Sequence, residues 1–197
     1  MSHSFPHPNR AVAGANVFPD TTDKVAGIED FQECTVAFAH VGNTFLVQDG
    51  APTFTFPAGS EIPLSTIQAV GFRIEPDALL FKECGTYAVS LKVSGFDGYS
   101  FEGSFIDLIK LGCRGRQTLG SISMTQVATR GLDTVIIPSE CFQTGDRLQL
   151  EVRGDDLTVN YNDLLDIDLV AVKTSCCCND DCDKCDCPCK KKHRGCC

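Results

Sequence analysis

The sequence predicts an all-β body, a sandwich or jelly roll, with an extended arm before it and an irregular tail after it. Three observations lead there. Apolar or alternating runs recur at roughly 8–12-residue intervals between turn signals, which is the spacing of short strands in a two-sheet fold. No stretch of ten or more residues keeps a helical period. The hydrophobic fraction is 43% of 197 residues, so the body can build a core without cross-links to rescue it.

The elements follow in order. Residues 1–30 form the expected arm: Phe5-Pro6, His7-Pro8 and Phe18-Pro19 each push the chain toward extended geometry. Within it Phe5, Pro6, Pro8 and Val12 are candidate anchors for docking against a neighbouring subunit. The body spans 31–174. Its expected strands begin with Thr35–Phe38, Thr44–Val47 and Thr53–Phe56, the last bounded by Pro52 and Pro57. Gln68–Ile74 and Ala78–Phe81 come next, then Tyr87–Val93, where Tyr87, Val89, Leu91 and Val93 share one face. A long run over Ser100–Leu111 leads to a Gly/Arg-rich turn at Gly112–Arg116, followed by Gln117–Val127 and Thr134–Ile137. Arg147–Val152 alternates, and Gly154-Asp155-Asp156 after it reads as a hairpin turn into Leu157–Tyr161. Leu164–Val172 closes the body.

The tail, 175–197, holds nine of the thirteen cysteines: Cys176, Cys177, Cys178, Cys182, Cys185, Cys187, Cys189, Cys196 and Cys197. With no Ala, Val, Leu, Ile, Met, Phe or Tyr among them, residues 176–197 cannot form a core; their chemical asset is sulfur at high density. Thiolate spacings such as Cys182-x-x-Cys185 and Cys185-x-Cys187-x-Cys189 suit Zn or Cu(I), so a reduced tail could hold metal. Two knuckles on a structured loop are absent, however. Contiguous cysteines bridge each other poorly across one planar peptide, and the total is odd, so the tail points instead to disulfides with other chains. Lys190, Lys191 and Lys192 would raise the thiolate fraction that attacks such bonds. In the body Cys34, Cys84, Cys113 and Cys141 allow three pairings, or can act as acceptors for a neighbour's tail. No further cofactor is expected.

Charge narrows the partners. Of 17 basic and 26 acidic residues the tail takes five and four, which leaves the body near −10. That balance excludes nucleic acid as the expected partner. No apolar run is long enough to span a bilayer, and the start lacks a basic, apolar leader, so synthesis without a signal peptide is expected. The histidines are scattered, and no Ser/His/Asp or Cys/His context appears, so the chain is not expected to be an enzyme. Asp163, Asp166 and Asp168 read as solvent-face charges rather than a calcium site, and Arg153-Gly154-Asp155 as an ordinary turn rather than a recognition tripeptide.

Three segments resemble the TNF-like jelly rolls of the complement and tumour-necrosis-factor type. They are Cys84-Gly85-Thr86-Tyr87 with its alternating strand, the Gly145-Asp146-Arg147-Leu148-Gln149-Leu150-Glu151-Val152 strand, and the closing Ile167–Val172. The resemblance covers residues 31–173 and is nearest to the C-terminal domains of bacterial exosporium collagen-like filament proteins. The chain lacks their collagen stalk and adds the cysteine tail. Endospore appendage subunits, which are jelly rolls joined by cysteine-bearing connectors, are similar in architecture only. The resemblance implies a homotrimer packed around a three-fold axis, with Tyr87 as a packing residue. The expected function is a self-assembling structural protein of the spore surface or a spore-associated fibre, fastened through its tail to itself or to other Cys-rich coat proteins. A thiolate metal module and a receptor- or glycan-binding head are the alternatives.

Overall fold

The computed structural model describes residues 35–47, 53–96, 101, 103–161 and 163–176. The chain divides into the units Met1–Glu33 and Cys34–Cys197, and every described residue belongs to the second. Among the described residues twelve strands and one short helix follow one another: β1 Phe38–Leu46, β2 Phe54–Phe56, β3 Ser65–Val70, β4 Phe72–Ile74, β5 Ala78–Phe81, β6 Gly85–Phe96, β7 Ser104–Gly112, β8 Gly115–Ser123, α1 Met124–Arg130, β9 Leu132–Phe142, β10 Arg147–Gly154, β11 Leu157–Val159 and β12 Leu164–Ser175.

Two five-stranded sheets result, ordered β3-β1-β12-β6-β9 and β4-β5-β10-β7-β8, with a small β11-β2 ribbon beside them. From β5 onward the chain crosses between the sheets at almost every connection, which is jelly-roll connectivity. Alternation decides which side of each strand faces inward. On β12 Leu165, Ile167, Leu169 and Ala171 are fully buried, and they pair with Phe45, Asn43, Val41 and Ala39 on β1. On β10 Leu148, Leu150 and Val152 do the same from the opposing sheet. Phe81 and Phe142 stack at 3.9 Å between centroids, and Tyr87 meets both edge-on while donating its hydroxyl to the Glu83 carbonyl at 2.8 Å.

Several boundaries differ from the sequence expectation, each for a local reason. Phe38 and Thr44–Leu46, from two separate expected runs, lie on one strand because pairing with β12 is continuous from Phe38 to Leu46, while Thr35–Ala37 and Val47 fall outside it. Gln68–Ile74 breaks at Gly71, whose φ of 80° ends β3 and whose missing side chain leaves room for Ala37. Thr134–Ile137 extends to Leu132–Phe142 through Pro138, which is tolerated because β9 is an edge strand. Gln117–Val127 stops as a strand at Ser123; Met124 and Val127, three apart, then turn their buried side chains inward from α1. That helix ends at Gly131, in a left-handed conformation with its N–H on the Val127 carbonyl. Gly154 is the last residue of β10, with φ 89° and the Gly103 carbonyl where a Cβ would stand, and the chain bends at Asp155. That bend does not close a hairpin, since β10 pairs with β7 and β5 while β11 pairs with β2.

Candidate functional site

Two features stand out: a cysteine-bearing pole and an apolar sheet face. The pole forms where β6 and β7–β8 turn and β9 and β12 end. Thr86 pairs with both Cys141 and Ser175, Gly85 pairs with Phe142, and Gly112 pairs with Gly115 across the two-residue tip Cys113-Arg114. A cavity of about 510 Å³ opens there, lined by Cys113, Cys141, Thr86, Gln143, Ser175 and the charged trio Lys110, Glu140 and Asp146, among others. Cys84, buried, immediately precedes β6 at the same end. All four described cysteines, Cys84, Cys113, Cys141 and Cys176, therefore gather where the tail leaves the body.

Cys113, Cys141 and Cys176 are disulfide-bonded. Three is an odd number, so at least one of these bridges reaches a fourth cysteine. Cys34 and the tail positions Cys177, Cys178, Cys182, Cys185, Cys187, Cys189, Cys196 and Cys197 lie outside the described residues, as do Phe5, Pro6, Pro8 and Val12 of the arm. Among the described residues no cluster of His, Cys, Asp and Glu could hold a metal ion.

The charged trio was not singled out from the sequence, yet the strands place it with care. Lys110 shares its face with the core residues Ile106 and Leu108, and Glu140 shares its face with Phe142. A charge on the apolar side of a strand was the available signal. The Lys110 Nζ lies 2.7 Å from Glu140 Oε1 and 3.9 Å from Asp146 Oδ2, donates to the Cys141 carbonyl, and sits 4.7 Å over the Phe142 ring. Burial pushes the Asp146 carboxyl above the usual carboxylate range, against the lowering effects of the Gln143 N–H and of Lys110. Near the same end Lys173, only 4% exposed, meets Glu83 at 2.8 Å, and Thr35 donates to Glu83 as well.

The outward faces of the two sheets differ in kind. Large exposed apolar side chains belong to the first sheet or its margin: Val36, Leu46, Ile67, Val70, Leu132, Ile136 and Val172, with Phe54 and Tyr161 at the ribbon. Register puts Val70, Phe38 and Val172 in one row and Gln68, His40, Val170, Ser90 and Ile136 in the next. Ile136 is 70% exposed. A polar centre follows, where Asp168 holds His40 at 3.1 Å and Asp166 accepts the Thr44 hydroxyl at 2.6 Å. Those partners leave Asp166 and Asp168 engaged within the sheet, and Asp163 caps the Asn160 N–H.

Among the described residues no large exposed apolar side chain lies on the second sheet. There the Arg116–Glu151 fork, two contacts of 2.6 Å, bridges the rows on either side of the fully buried Ile109. Arg153 is committed to Asp107 at 2.8 Å and covers the Phe105 ring at 4.2 Å. The Arg153-Gly154-Asp155 tripeptide is accordingly built into the sheet surface.

Comparison with known proteins places this fold. The chain matches no family profile and no curated protein. Among solved structures, an Eiger TNF from S. frugiperda aligns with TM-score 0.52 at 14% identity, over 75% of this chain and 98% of that one. Murine APRIL at pH 8.5 aligns at 0.45 and 14% identity, over 71% and 99%. The globular domain of zebrafish complement 1qA aligns at 0.41 and 12%, over 71% and 98%. The body is a TNF-like jelly roll.

Proposed function

We propose that the chain is a self-assembling structural protein whose bodies associate, three to a unit, through the outward face of the β3-β1-β12-β6-β9 sheet, and whose tails fasten those units by disulfides. The observation that carries this reading is the contrast between the two outward faces. One is sealed by ion pairs over its apolar residues; the other leaves Val70, Ile136 and Val172 exposed, as a face that a partner would cover. A cyclic assembly relates its chains by rotation alone, so equivalent points share one height along the axis. Three cysteine poles would then stand at the same level, and the tails would leave from one end. The disulfide-bonded state of Cys113, Cys141 and Cys176 supports oxidised rather than metal-bound sulfur at the tail root.

A spore surface or spore-associated fibre as the setting rests on the resemblance of the Gly85-Thr86-Tyr87 and Gly145-Asp146 segments to exosporium domains. Other Cys-rich coat proteins are further candidates for the tail's attachment. The test pairs two readouts on one sample: gel mobility with and without reductant, and zinc stoichiometry. Ladders that collapse on reduction support fastening. A reductant-insensitive monomer with several equivalents of zinc would sink it and favour the thiolate module.

A further inference from the structure

The cavity at the pole brings together a primary amine, a buried carboxyl and a second carboxyl that touches the amine. Lys110 Nζ is 3.9 Å from Asp146 Oδ2 and 2.7 Å from Glu140 Oε1. Lys110 is 15% exposed, Asp146 6% and Glu140 21%. Aromatic rings support the amine: the Phe142 ring lies under the ammonium, with Phe81 stacked on it. Gly112 belongs to the arrangement, because a Cβ there would stand 2.4 Å from Asp146 Oδ1. The other charged group on the cavity wall is Arg114, at the hairpin tip.

We propose that Lys110 and Asp146 form an intramolecular amide cross-link, with Glu140 as the proton carrier. Amide formation needs the neutral amine and the protonated acid, so one proton first passes from the Lys110 ammonium to the Asp146 carboxylate within the pair. The burial that raises the Asp146 carboxyl favours the acid. The amine lone pair then attacks Asp146 Cγ. Glu140 accepts a proton from the nitrogen and returns it to the departing hydroxyl; the N–C bond forms, the C–O bond breaks, and water leaves into the cavity. No oxidant or reductant is required. Fixed proximity replaces the bimolecular encounter that makes amide formation slow in solution. The Asp146 oxygen that accepts the Gln143 N–H, at 2.9 Å, remains a carbonyl acceptor in the product. The bond would tie the end of β7 to the start of β10, independently of every cysteine and of the assembly reading above.

The experiment is intact-mass measurement of the full chain after reduction and denaturation. The expected mass is one water below that of the sequence, and proteolysis should yield a branched peptide joining Lys110 to Asp146. A wild-type chain of full mass, or a lost water mapped to another position, overturns the proposal. Glu140→Gln and Lys110→Arg chains should show full mass while keeping the strand signal in circular dichroism. Complete cross-linking in Glu140→Gln would remove the role given to Glu140.

Discussion

Phe142 joins three kinds of contact at the tail end of the body: the stack on Phe81, the edge of Tyr87, and the Lys110 ammonium over its face. Its replacement by Ala leaves a cavity the neighbouring rings cannot close, so Phe142→Ala should cost about 3–5 kcal/mol in urea unfolding. Glu83 gives a pH dependence with a definite sign. The Lys173 ammonium, then the Thr35 hydroxyl, hold its carboxyl below the usual range. A native pKa below the unfolded one stabilises the fold above the unfolded value, and that contribution is lost as pH falls through the native value. Acid titration of stability should therefore be shallower in Glu83→Gln than in the wild type over that interval; identical slopes would contradict the assignment. These residue-level facts were partly legible in sequence. Alternation put Tyr87 on the face of Val89, Leu91 and Val93 and the family resemblance implied its packing role, whereas Lys110, Glu140 and Asp146 come from β7, β9 and the turn before β10 and have no shared motif.

At the scale of elements, turns set where strands stop. Gly71 and Gly115 both hold positive φ, 80° and 89°, but their surroundings differ. Open space surrounds a Cβ at Gly115, so Gly115→Ala should cost only the left-handed strain, about 1–2 kcal/mol. At Gly71 the added methyl would lie 2.7 Å from Ala37 Cβ, and the chain entering β1 would have to shift. Gly71→Ala should lose more stability than Gly115→Ala in the same thermal or urea series; equal losses would argue against that packing. Strand positions with strict alternation, such as Tyr87–Val93, were readable because the period is local. The helix at Met124–Arg130 was not, since a single pair of buried side chains three apart in seven residues is too short a run to show a period. Pro138 likewise reads as a breaker until the sheet order shows β9 at an edge.

At the scale of the molecule, the two sheets divide labour. One outward face is closed over by charge pairs, and the other is left apolar at both ends with a His40–Asp168 centre. Sequence alternation marks which residues of a strand point away from the core. It does not say which of two outward faces will be covered, because that depends on cross-strand partners such as Arg116 and Glu151. The pole was hidden for the same reason: Cys84, Cys113, Cys141 and Cys176 are far apart in the chain and meet only once the strand ends align. The central claim is association through the apolar face, and the most direct measurement is the native mass of the full chain in reductant. The account predicts a mass of three chains for the wild type and of one for a folded Ile136→Arg/Val172→Glu double variant. A single-chain wild type, or a three-chain mass unmoved by those two substitutions, would contradict it.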